Sequence, residues 1–154
     1  MKDSGEIGFH DWWSFGLGLG FIWPSGTMGS LLGVLIYVSL DVFVTQVQIL
    51  AMVTIVVYSW YACCQTYKKL KCDHSAIVSD EVVGMLCALL FVPVSVLNIV
   101  LAFVLFRFFD ITKIWPIGLF ERTKWGAHAV MIDDVVAAIL TNITLHSGLY
   151  YLAN

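Results

Sequence analysis

From Met28 to Cys64 the chain is almost continuously apolar, with Asp41, Gln46 and Gln48 as its charged and amide interruptions. A bilayer-spanning helix needs about 20 apolar residues, so this run is too long for one span. It divides near Asp41 into a short piece, Gly29 to Leu40, and a full-length one, Val42 to Cys64. Apolar sequence resumes from Val82 to Phe106, with Pro93 in its middle, and again from about Val135 to Leu152. Polar stretches from Gln65 to Glu81 and from Arg107 to Lys124 separate these segments. No repeat, linker or low-complexity tract divides the chain, which predicts one domain over 1–154. Within it, 1–26 reads as an N-terminal interfacial segment and 27–152 as a helical bundle.

Composition identifies the solvent. Of 154 residues 60% are hydrophobic and only 12% charged, and the mean hydropathy is +0.88. A soluble domain carries about 25% charged residues, and half that leaves too little polar surface to cover a water-facing globule. The predicted fold class is therefore all-α, a small integral membrane helical bundle with short or broken helices. A net charge of −3 provides no footprint for nucleic acid. Lys2, Asp3 and Glu6 precede a Gly- and Trp-rich stretch rather than the pattern of a signal peptide, so the internal apolar segments are expected to direct membrane insertion. Trp12, Trp13, Trp23, Trp115, Trp125, Tyr150 and Tyr151 suit an interfacial aromatic belt.

The segment 82–106 decides the topology. Crossing once, its two ends would lie on opposite faces of the bilayer. Broken at Pro93 into two short helices, it would fold back and leave both polar stretches on one side. Seven of the eight basic residues, all but Lys2, lie in those stretches, so the positive-inside bias favours the folded-back form with that side cytoplasmic.

Five of the eleven acids fall in three tight groups, Asp80 with Glu81, Asp110, and Asp133 with Asp134, each abutting an apolar segment. Carboxylates at membrane depth are costly unless paired, hydrated or bound to a cation, which makes them candidates for function. Taken singly, each group also suits the first turn of a helix, where the dipole favours acids. Carboxylate oxygens without a Cys or His cluster suit a hard cation such as Mg2+ rather than zinc. Arg107, Asp110 and Lys113 lie three apart, so on a helix they share a broad face and place two cations beside a carboxylate. Metal and paired cations together neutralise phosphate oxygens; the same cations could instead serve only to snorkel toward headgroups.

Other features carry less. Gly26-Thr27-Met28-Gly29-Ser30 opens the first apolar helix, where its amides and hydroxyls suit an anion or a simple helix cap. Cys63, Cys64, Cys72 and Cys87 contain no C-x-x-C and no phosphatase C-x5-R loop, and read as small hydrophobes. His74 beside Asp73 reads as an exposed polar residue, and His10, His128 and His146 have no evident partner. Asn142-Ile-Thr144 matches a glycosylation sequon but lies in an apolar helix.

Four of these runs, in order, resemble the phosphatidylglycerophosphatase A family of bacterial membrane phosphatases. They are Gly26 to Ser30, Asp73-His-Ser-Ala-Ile-Val-Ser-Asp80-Glu81-Val-Val-Gly84, Arg107-Phe-Phe-Asp110-Ile-Thr-Lys113-Ile-Trp-Pro116-Ile117, and Met131-Ile-Asp133-Asp134-Val. The resemblance spans roughly 15 to 140 and implies Mg2+-dependent hydrolysis of phosphatidylglycerophosphate to phosphatidylglycerol and phosphate, a step of phospholipid biosynthesis. It implies Asp80, Glu81, Asp110, Asp133 and Asp134 as catalytic residues, with Asp80, Glu81, Asp133 and Asp134 as the Mg2+ ligands. Arg107 and Lys113, with Thr27 and Ser30, are implied to bind the substrate, and Asp110 to act as a base toward water or to complete the metal shell. Direct water attack and an aspartyl-phosphate intermediate are both open to this set. Partners implied are the phospholipid substrate and the bilayer, in a bacterial cytoplasmic membrane with several crossings and the acidic site at the cytoplasmic interface; oligomeric state is left open. Ile114, Pro24-Ser25-Gly26, Glu121-Arg122 and Gly126-Ala127 depart from the family's usual pattern, and none removes a charge from the site. The rival expectation is a small cation carrier or channel with its acids spread through the membrane depth. A purely structural subunit is the third.

Overall fold

The computed structural model describes residues 7–70, 74–113 and 126–153, and it is all-helical, with no strand among the described residues. Its helices are α1 (Phe9–Ser14), α2 (Ser25–Leu40), α3 (Thr45–Leu70), α4 (Ser79–Ala88), α5 (Val96–Thr112) and α6 (Ala127–Ala153), with a tight Gly-rich turn, Gly16–Phe21, between α1 and α2. Among the described residues two helices, α3 and α6, are long and apolar enough to cross a membrane. At about 1.5 Å per residue, their 26 and 27 residues reach well beyond a hydrocarbon core of about 30 Å.

The break at Asp41 lies where the sequence puts it, between Leu40 and Thr45, and α3 runs on past Cys64 to Leu70. The other boundaries move. The last helix opens at Ala127 rather than near Val135, just after Gly126 at a φ of +55°. Asp133 and Asp134 therefore lie in its second turn rather than at its mouth, and the dipole of a helix start does not account for them. Similarly, α5 stops at Thr112, and Lys113 takes up a left-handed conformation (φ 44°, ψ 45°) whose N–H donates to Phe109 O. Lys113 therefore leaves the helical face it was expected to share with Arg107 and Asp110.

Helix α2 packs through a stripe of Gly26, Gly29 and Gly33, one helical face at spacings of three and four. A Cβ on Gly29 would lie 2.9 Å from Val78 Cβ, and one on Gly33 would lie 2.8 Å from Met85 Cβ. Only glycine lets the two backbones approach so closely, the usual device where lipid supplies no hydrophobic drive between helices. The main core, with Met85, Leu86, Leu89, Phe106 and Ala137 fully buried, lies between α2, α4, α5 and α6.

Between α4 and α5 the chain turns through Leu89–Ser95, and Pro93 lies in that turn. Non-helical backbone in an apolar bundle leaves carbonyls that must find donors. Four side chains attend to them. Asn142 Nδ2 donates to Ala88 O at 3.0 Å and to Leu90 O at 2.9 Å, Tyr37 Oη donates to Val92 O at 2.7 Å, Asn98 Nδ2 donates to Pro93 O at 2.9 Å, and His146 Nε2 lies 3.2 Å from Leu90 O. The α4–α5 segment is thus a hairpin that enters the bundle and returns, so the start of α4 and the end of α5 share one end of the molecule.

The outward faces are apolar. Leu50, Val53, Val57 and Tyr61 on α3 and Val96, Leu97, Val100, Leu101 and Val104 on α5 are exposed. Hydroxyls on such faces turn inward on their own helix: Ser39 donates to Leu35 O, Thr54 to Leu50 O and Thr144 to Leu140 O, at 2.7, 2.8 and 2.7 Å. That back-bonding gives each hydroxyl a partner on its own helix.

Candidate active site

Three helices deliver acids to the same end of the bundle. The first turn of α4 carries Asp80 and Glu81, the last turns of α5 carry Arg107 and Asp110, and the second turn of α6 carries Asp133 and Asp134. Ligand-capable oxygens of Asp80, Glu81 and Asp134 lie within 4.8 Å of one another. Asp80 and Asp134 are buried, at 6% and 5% exposure. Glu81 Oε2 and Asp134 Oδ2 are buried with no hydrogen-bond partner among the described residues. Three like charges in a shared, largely dry pocket repel one another unless a cation lies between them. An all-oxygen donor set with orphaned lone pairs fits a hard divalent ion of the Mg2+ type.

Asp133 lies outside that trio. Consecutive residues on a helix point about 100° apart, so of Asp133 and Asp134 only one turns into the cluster. Asp133 faces the end of α5 instead, where Lys113 Nζ donates to its Oδ2 at 3.2 Å. Arg107 Nη1 donates to Asp110 Oδ2 at 2.7 Å. Both cations are thus held at the rim of the acidic cluster by carboxylates, on partly buried side chains.

Gly26 brings α2 into the site. A Cβ there would lie 2.6 Å from Glu81 Oε1 and 2.8 and 2.9 Å from the two terminal nitrogens of Arg107. The Gly-rich run expected to bind an anion thus contributes a close backbone wall to the acid and the guanidinium. Thr27 is partly exposed in the first turn of α2, while Ser30 is fully buried and its Oγ donates to Gly26 O at 2.9 Å. Gly84 is packed against Phe106 and lies near Asp134 Cβ, which locks α4 onto α5 and α6 directly behind the cluster.

Asp11 was not among the expected residues. It is buried and accepts from Lys69 Nζ at 2.7 Å, Thr66 Oγ1 at 3.0 Å and Gly8 N at 2.9 Å, tying α1 to the end of α3. Burial alone would raise its carboxyl, but Lys69, Gly8 and Thr66 outweigh that and hold it below the usual value of 3.8. An acid five residues before the Gly-rich turn shows no helical or metal pattern, and only its distant partners explain it. His74 is exposed, its Nδ1 accepting from Ala76 N at 3.1 Å. Cys72, Trp115 and Trp125, with the departures at Ile114 and Glu121-Arg122, lie outside the described residues.

A family model described as Phosphatidylglycerophosphatase A matches residues 12–148. The chain belongs to this family. The phosphatidylglycerophosphatase A of Escherichia coli is 38% identical over 129 residues, 82% of this chain and 74% of that protein. The Haemophilus influenzae protein of the same name is 38% identical over 142 residues, covering 89% and 86% of the two chains. A Bacteroides thetaiotaomicron protein named provisionally as a phosphatidylinositol-3-phosphatase is 32% identical over 139 residues, 84% of this chain and 87% of its own. No solved structure matches. The family match covers all five site acids and both site cations.

Proposed function

We propose that the chain removes the terminal phosphate of phosphatidylglycerophosphate, yielding phosphatidylglycerol and inorganic phosphate, with Mg2+ held by Asp80, Glu81 and Asp134. The observation that carries the reading is the convergence of these three carboxylates at the rim of which Arg107 and Lys113 stand. Mg2+ bound there would act as a Lewis acid on a phosphoryl oxygen and offset charge as the ester bond breaks.

The chain's own residues supply the rest. Arg107 offers a planar fork of donors suited to two phosphate oxygens, and Lys113 adds a compact charge. Both trade a carboxylate partner for the phosphate, so Asp110 is freed as Arg107 turns to substrate. Asp110 lies outside the ligand trio and is our choice for the base that takes the proton of the attacking water. The P–O bond to the glycerol then breaks, and the departing oxygen takes up a proton. Names of the bacterial relatives support a bacterial membrane setting, and the clustering of Lys68, Lys69, Arg107 and Lys113 at the site end supports a cytoplasmic orientation with several crossings.

The test is phosphate release from phosphatidylglycerophosphate in mixed micelles, with and without Mg2+. Wild-type protein is expected to require Mg2+, and folded Asp80→Asn and Asp134→Asn variants are expected to lose about 100-fold or more in rate. Inactivity of folded wild-type protein with Mg2+ or Mn2+ would overturn the reading and turn attention to cation flux. A carrier needs acids through the membrane depth, whereas the five site acids share one end of the bundle.

A further inference from the structure

A second cleft lies on the outer face of α3 and α6, sharing no residue with the acidic site. Its volume is about 440 Å³; Val56, Val57, Trp60, Tyr61 and Cys64 line its length, His128 stands beside Trp60 and Cys64, and Lys68 stands one turn beyond Cys64. The apolar lining on α3 repeats at helical spacing from Val56 to Cys64, about 12 Å at 1.5 Å per residue, which accommodates part of one acyl chain. Its apolar part lies within the long apolar stretch of α3, and its polar end lies at the last turn of α3 and the first of α6, level with the site end of the bundle.

The polar end is built to donate. Trp60 Nε1 donates to His128 Nδ1 at 2.9 Å, which places the imidazole proton on Nε2, where its only hydrogen-bond neighbour among the described residues is the weak acceptor Cys64 Sγ at 3.9 Å. Lys69, the neighbour of Lys68, is committed to Asp11, whereas Lys68 lines the cleft. One ammonium and one imidazole N–H beside a short apolar groove on a helix apolar enough to cross a membrane complement a phospholipid with a net negative headgroup.

We infer that this cleft is a non-catalytic binding site for one anionic phospholipid, its phosphate on Lys68 and His128 and an acyl chain along Trp60 and Val57. The site stands apart from the proposed chemistry, and its test does not depend on activity.

The experiment uses protein in phosphatidylcholine nanodiscs and reads tryptophan quenching by acyl-brominated lipid at low mole fraction. Brominated phosphatidylglycerol is expected to quench more than brominated phosphatidylcholine at equal bromine depth, and Trp60→Phe is expected to abolish the excess. Lys68→Gln is expected to raise the half-saturating fraction of phosphatidylglycerol about fivefold. Brominated phosphatidic acid, compared with phosphatidylglycerol, separates recognition of the phosphate from recognition of the glycerol: similar quenching supports the phosphate as the ligand group, and no excess with phosphatidic acid overturns that assignment. Equal quenching by anionic and zwitterionic lipid, or an unchanged response in Lys68→Gln, would overturn the proposal. So would shielding of Trp60 from every brominated lipid together with a dimer by light scattering, since a second copy would then cover the cleft. Lys68 is exposed, so its substitution leaves the fold intact, and circular dichroism checks this for both variants.

Discussion

At the scale of single residues, neighbours in sequence have different tasks. Asp134 faces Asp80 and Glu81, while Asp133, one residue earlier, holds Lys113 at 3.2 Å. The two substitutions should therefore differ in kind. Asp134→Asn is expected to lower kcat, and Asp133→Asn to raise KM several-fold with a smaller change in kcat, because it loosens a phosphate-binding cation rather than the metal. Steady-state kinetics on both variants checks the split. Gly26→Ala places a methyl 2.6 Å from Glu81 Oε1. Displacing that carboxylate or the Arg107 guanidinium by a fraction of an ångström is expected to cost about 100-fold in kcat/KM, measured on protein whose melting temperature is within a few degrees of wild type. The residue types at these positions were readable from the sequence, because acids and cations beside apolar runs are conspicuous. Which of two adjacent acids meets the cluster was not, since it depends on where α6 begins and so on its rotation against α4.

At the scale of elements, the broken hairpin and the docking of α1 are each held by a few polar contacts. Asn142→Leu removes both donors to Ala88 O and Leu90 O. Leaving those carbonyls without Asn142 is expected to cost about 2 kcal/mol, read as a lowered unfolding midpoint in detergent with Mg2+ binding weakened in parallel, because the hairpin carries Asp80 and Glu81. The sequon that Asn142 forms has this explanation, and no sequence pattern shows it. Docking of α1 is pH-sensitive through Asp11. Its folded carboxyl sits below 3.8, so its contribution is present above that value and is lost as pH falls below it and on through the lower folded value, the unfolded state taking up the proton first. Wild-type protein is expected to lose stability over that window relative to Asp11→Asn, which lacks the charge throughout; melting temperatures from pH 6 down to 3 test this. Pro93 marked the break in 82–106 correctly because proline removes a backbone donor and clashes within a helix. The start of α6 was misplaced because Asp133 and Asp134 interrupt its apolar run, hiding the apolar residues 129–132 before them, while the backbone becomes helical as soon as Gly126 is passed.

At the scale of the whole molecule, the bundle has a charged end and an apolar far end. Lys69, Arg107, Lys113 and the acidic cluster gather at one, and the Leu40 to Thr45 turn, with Asp41, lies at the other. In a background without cysteine, a thiol at Asp41 is expected to react with impermeant reagents from one face of the membrane, and a thiol at His74 from the opposite face. Labelling of both from the same face would contradict the arrangement. The sequence by itself determined the apolar, all-helical class, the breaks at Asp41 and Pro93, and the family, because hydropathy, proline stereochemistry and ordered motifs are local properties of the chain. Only the tertiary structure decided that Asp80, Glu81 and Asp134 meet while Asp133 and Asp110 pair with cations, that glycines in α2 serve close packing beside Glu81, and that Asp11 and Asn142 hold the frame. Each of these depends on how helices far apart in sequence are rotated and stacked, and a rotation of about 100° per residue leaves no trace in composition or spacing.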